Sequence, residues 1–140
     1  MMDSVPSEKR NDFQFEKAMS LMTHIFIARQ RWLHRIGKYP AADGGSDIRV
    51  TTIPELLQLK SMTETSWSEY LLNIGDQELG RVIEYRRVDG TQRVNTLEDI
   101  LTHLCYHGMY HRGQIVLLVN SLGGNVEDTD YIYWVGQDEF

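Results

Sequence analysis

The stretch from Leu97 to Leu122 constrains this chain more than any other. Leu97, Leu101, Leu104, Gly108, His111, Ile115, Leu118 and Leu122 alternate strictly between four- and three-residue steps. That spacing gathers side chains on one side of an α-helix as the inward seam of a bundle. Thr96 followed by Asp99, or Asn95 followed by Glu98, offers a cap at the start, and Gly123-Gly124 offers a stop. The helix predicted between them runs roughly 26 residues, or about 39 Å at about 1.5 Å per residue.

Two further helices are expected upstream. Phe15, Met19, Met22, Phe26, Leu33 and Ile36 recur at helical steps, and KYPAADGGSD ends that pattern. Thr52-Ile53-Pro54-Glu55 then reads as a capping box with proline in the first turn, opening a helix through Leu56, Leu59, Trp67, Leu71 and Ile74 to Gly75. Between Arg81 and Asn95 the pattern turns β-like around Asp89-Gly90, a dipeptide suited to a two-residue hairpin turn. The fold class expected is all-α, a helical bundle with a short β-hairpin before the last long helix. For Trp32, Trp67 and Trp134 the expected role is packing.

With 140 residues and 41% hydrophobic content, the chain is expected to form a single domain over 1–140. A net charge of −6 without a basic block disfavours nucleic acid and anionic membranes as partners. No apolar run approaches the ~18 residues that span a bilayer, and the first dozen residues are polar, so the protein is expected to be cytoplasmic. Cys105 is the single cysteine, which leaves histidine and carboxylate as metal donors.

Three of the five histidines, His103, His107 and His111, stand four residues apart on the long helix. At about 100° per residue, His111 falls on the seam, His107 some 40° to one side, and His103 about 40° further towards solvent. An i, i+4 pair can share one cation, but a stable site needs a third donor from elsewhere. His24, beside Ala28 and Trp32 at the edge of the first helix's apolar arc, suits that role better than His34, which lies nearly opposite the arc. The competing reading is a solvated or hydrogen-bonded pair, and spacing alone leaves both open. Gly108 in mid-helix implies that something bulky approaches the backbone there. Cys105 is expected to be a small core residue, and Arg112, projecting away from the histidines, to make a structural ion pair. Gln114, one turn from His111, is placed to hydrogen-bond a ligand. There is no Glu-x-x-His, HExxH, glycine-rich phosphate loop or GxSxG turn.

The segments MTHIFIARQRWLHRI, VDGT, TLEDILTHLCYHGMYHRGQI and DTDYIYW, in that order from about residue 13 to residue 134, together resemble the DinB-like family of the DinB/YfiT-like superfamily. The resemblance implies a four-helix bundle, commonly homodimeric, holding a divalent metal through three histidines. By position these are His24, His107 and His111, with His103 outside the ligand set. Some relatives are thiol-dependent S-transferases or isomerases. Members usually carry a helix ahead of the one with the first histidine, where this chain has a dozen polar residues. The first family helix is therefore expected to be missing: either the start is truncated, or a second subunit covers the seam.

Two functions follow from that resemblance. One is a metal-dependent enzyme, a thiol S-transferase or hydrolase, with zinc or nickel as the cation, a small-molecule substrate and a low-molecular-weight thiol as cosubstrate. Three neutral imidazoles leave an open position that can acidify water or a thiol. The catalytic residues are unknown, and no general base is identified. The alternative is a non-catalytic, metal-stabilised stress-response or interaction protein.

Overall fold

The computed structural model describes residues 1–37, 49–87 and 89–136, leaving aside the side chains of 133 and 134. The KYPAADGGSD break and the packing role of Trp134 lie outside what is described. Three long helices carry the architecture: α1 (Phe13–Arg35), α2 (Ile53–Leu72) and α4 (Leu97–Ser121). Between α2 and α4 come the short helix α3 (Asp76–Leu79) and an antiparallel hairpin of β1 (Val82–Arg86) and β2 (Gln92–Thr96), and α5 (Tyr131–Val135) follows α4.

The helix ends form where the chemistry places them. Asp12 caps α1 by accepting the Gln14 N–H at 2.8 Å. The Thr52 and Glu55 capping box opens α2, and of the two candidate caps for α4 the structure uses Thr96 with Asp99. At the far end of α4, Gly123 takes φ 80°, its N–H donates to the Asn120 carbonyl, and the Gly124 N–H reaches the Val119 carbonyl. This pair of bonds closes the helix and satisfies carbonyls that no further turn would serve.

The hairpin forms as expected, but the two-residue turn does not. The strands pair from Val82 with Thr96 to Arg86 with Gln92, so the connection is 87–91. Among the described residues only glycines take positive φ, whereas a two-residue turn at Asp89-Gly90 needs it at both positions. Asp89 instead stays in ordinary backbone and its carboxylate accepts the Thr91 N–H at 2.9 Å. Gly90 alone supplies the left-handed residue, at φ 81°.

Helix α1 sits in the middle, packed against α4 on one side and α2 on the other, with the hairpin against both α1 and α4. Two apolar clusters form along it. Phe15 and Met19 meet Ile115 and Val119 in the first, while Leu33 and Ile36 meet Leu97, Ile100, Trp67 and Ile83 in the second. The α4 seam is thus buried by α1 within one chain. Ahead of α1 the described residues form two 3₁₀ turns, Met2–Ser4 and Ser7–Lys9, and no long helix. These turns are not loose: Met2 and Val5 enter the first cluster, and the Asn125 N–H donates to Ser4 Oγ at 2.8 Å.

Candidate metal centre

Between the two apolar clusters the bundle carries a polar level. Buried Thr63 donates its hydroxyl to the Leu59 carbonyl at 2.7 Å and accepts from Gln30 Nε2 at 3.1 Å, so its hydroxyl is satisfied inside the bundle. Nearer solvent, α1 presents His24 and α4 presents His107 and His111. One ligand nitrogen from each lies within 4.8 Å of the other two. His24 Nε2 and His107 Nε2 are 3.0 Å apart, and the three ring centroids are 4.6 to 5.0 Å from each other.

His103 and His34 stay out of this group. The His103 ring stands 5.6 Å from that of His107 and 5.8 Å from that of Trp32, towards solvent. His34 is exposed nearer the C-terminal end of α1. On α4 the projection orders the histidines as found, but on α1 it does not: His24 is exposed and lies nearly opposite the centre of the apolar arc, further round than His34, and it joins the group because α4 brings His107 to it.

For His107 and His24 the surroundings favour the neutral ring. Burial holds the His107 pKa down to about 4, with His111, His24, His103 and Arg29 adding to the effect. Burial also lowers His24, helped by His111 and Arg31. His111 is oriented by Gln114, whose Oε1 lies 2.8 Å from His111 Nδ1. The sequence reading pointed Gln114 at a ligand, but its partner is the imidazole itself. A three-residue step on a helix brings two side chains together as readily as it points one of them outwards.

These residues fit a divalent cation. Metal binding requires neutral imidazole, and two imidazole nitrogens sharing a cation at about 2.0–2.1 Å stand roughly 3.3 Å apart in tetrahedral coordination. The 3.0 Å between His24 and His107 is close to that.

Two neighbours depart from expectation. Cys105 is exposed, not a core residue, because at about 120° from His111 it lies past the part of α4 that α1 covers. Arg112 makes no ion pair among the described residues: its Nη2 lies against Met109 Sδ and its Nε is buried without a partner. The bulky group at Gly108 is Arg29, whose Nη2 would stand 3.7 Å from a Cβ there. Trp32 and Trp67 pack as expected, and Trp67 Nε1 donates to the Arg29 carbonyl at 3.2 Å.

No helix among the described residues is long and apolar enough to cross a membrane. No curated protein and no solved structure matches the chain at a significant level. The family model described as the DinB family matches residues 3–138. With nearly the whole length matched, and with a helical fold, a hairpin before the last long helix and three convergent histidines, the chain belongs to the DinB family.

Proposed function

We propose that this protein is a divalent-metal-dependent enzyme, a thiol S-transferase or hydrolase, with zinc or nickel held by His24, His107 and His111. The observation that carries the reading is the convergence of three imidazoles from two helices. Imidazole donors suit zinc and nickel alike. A cation bound there supplies Lewis acidity, lowering the pKa of water or of a thiol cosubstrate at an open position. The chain's residues supply the rest. Gln114 fixes His111 in the tautomer whose Nε2 lone pair is free, and burial keeps His24 and His107 unprotonated near neutral pH. A structural site is normally closed by four protein donors. The fourth histidine of the neighbourhood, His103, lies outside the group, which favours an open site over a closed one.

A turnover screen with several thiols and electrophiles tests the reading. Metal-loaded protein should turn over at least one pair and chelated protein none. Turnover that is indifferent to chelation would sink it.

We also propose that two copies associate through the outer face of α4. Tyr106, Tyr110 and Leu117 stand there at steps of four and seven residues, 73%, 67% and 70% exposed. From Ile100 to Ser121 the only formally charged residue is Arg112, which projects elsewhere, so the face is uncharged in a chain of net charge −6. Gly113 lies on the same side, and a side chain there would meet nothing within 4 Å, which leaves room for a second helix to cross closely.

A further inference from the structure

The face of α1 that presents His24 continues as Ala28, Arg31 and Arg35 at steps of four, three and four residues, with Trp32 beside them. Facing this stripe stand Tyr85 and Arg87 of the hairpin. An open cleft of about 570 Å³ lies between them, reaching His24 and His107 at one end and Arg87 and Asp89 at the other. That volume is within the usual range for small-molecule sites.

Rings line one wall without a gap. Tyr85 and Trp32 are 4.9 Å apart between centroids, Trp32 and His103 5.8 Å, and His103 and His107 5.6 Å. Tyr85 is held in place by its hydroxyl, which donates to Asn95 Oδ1 at 3.0 Å. The Arg35 guanidinium sits 4.8 Å from the Trp32 ring centroid and 4.9 Å from that of Tyr85. Stacking fixes the plane of the guanidinium and leaves its edge donors for hydrogen bonds. One of its N–H groups goes to the Arg86 carbonyl at 3.3 Å, and among the described residues it makes no ion pair.

The charge in this cleft is opposite to that of the chain. Among the described residues Arg31, Arg35 and Arg87 line it with a single carboxylate, Asp89, in a protein of net charge −6. Asp89 is already engaged, 3.9 Å from Arg87 and bonded to the Thr91 N–H. Three guanidiniums beside a flat aromatic wall match a ligand that is anionic at one end and planar or apolar along its length.

We propose that the cleft binds a small molecule carrying a carboxylate or phosphate on a flat apolar body. The anion meets Arg31, Arg35 and Arg87, the body lies along Tyr85 and Trp32, and the other end is directed at His24 and His107. The anion site does not depend on a metal; only the assignment of this molecule as the substrate rests on the proposed function.

Calorimetric titration of the chelated full-length chain with naphthyl phosphate, naphthoate and neutral naphthol is the test. Both anions should bind about tenfold or more tightly than naphthol, the effect of one or two charge-assisted hydrogen bonds. Arg87→Gln and Arg31→Gln should each remove most of that preference, while Arg35→Lys, which keeps the charge, should retain part of it. Arg112→Gln, on the other flank of α4, should change nothing. Equal affinity for the three compounds would overturn the proposal, as would arginine replacements that weaken all three alike. Metal retention is scored separately, on the same variants loaded with zinc or nickel and dialysed without chelator. Anion preference without metal retention would leave the cleft standing and remove the metal reading, and metal retention without anion preference would do the reverse.

Discussion

Gln114 Oε1 lies 2.8 Å from Nδ1 of His111. An amide oxygen only accepts, so Nδ1 carries the proton and the lone pair of the ring is on Nε2. Replacing Gln114 by leucine should weaken metal binding by about 10–100-fold, the usual effect of removing a partner that orients a ligand. Gln114→Glu keeps an acceptor and should bind at least as well as the native chain. A competition titration against a chromophoric chelator reads both; an unchanged affinity in Gln114→Leu would mean that the contact does not serve the site.

Metal content separates the histidines. Fully loaded, exhaustively dialysed protein should hold about one divalent cation per chain. His24→Ala, His107→Ala and His111→Ala should each lose it, while His34→Ala should not. Equal loss from His24→Ala and His34→Ala, measured by elemental analysis, would assign the wrong ligand on α1.

Acid should destabilise the metal-free fold over a defined window. The folded chain holds His107 at about 4, and the unfolded chain has an ordinary value near 6.5, so between these limits the unfolded state binds more protons. Stability is therefore full above about 6.5 and declines as pH falls towards about 4, and His24, lowered in the same sense, adds to the decline. Urea midpoints of chelated protein across this range should show a shallower decline in His107→Gln. Bound cation stabilises the fold by about 2.7 kcal/mol at a hundredfold excess over Kd, a gain that shrinks on acidification because protons compete for the imidazoles.

Two glycines should respond oppositely to alanine. At Gly108 the added Cβ meets Arg29 Nη2 at 3.7 Å, an ordinary contact, so Gly108→Ala should gain up to about 1 kcal/mol of helix propensity. At Gly124 it would stand 2.7 Å from Val119 Cγ1 and 2.9 Å from Val5 Cγ2. Valine is stiff about χ1, so Gly124→Ala should cost about 1–3 kcal/mol. Thermal melts of the two variants, shifted in opposite directions, check this.

Association should respond to charge on the outer face of α4. Sedimentation velocity at micromolar concentration should find a dimer, and Leu117→Arg should convert it to monomer without lowering helicity. A native monomer would contradict the assembly.

The three long helices were legible because each rests on local chemistry: a capping residue, a repeating apolar step and a stop. The choice of His24 over His34 does not follow from the apolar arc, since His24 is exposed and lies further from its centre than His34; what singles it out is the approach of His107 from α4. What could not be read is how much of each helix a neighbour covers. Cys105 is exposed because α1 reaches only part of the α4 surface, and no periodicity within α4 reports its neighbour's reach. Arg31 and Arg35 share one face of α1, but Arg87 lies some fifty residues on and joins them only once the hairpin folds against α1. The polar first dozen residues concealed Met2 and Val5, two apolar side chains too few to show a period yet enough to plug the end of the core.

Because His24, Arg31 and Arg35 ride on one helix, their separation is set by its pitch. At about 1.5 Å per residue, Arg31 begins roughly 10 Å and Arg35 roughly 16 Å along the axis from His24. Helix α1 is thus a ruler with an imidazole at one end and guanidiniums at the other. A molecule too short to reach both marks could occupy either end but not bridge them, so a ligand of the proposed kind would be selected by length before functional group.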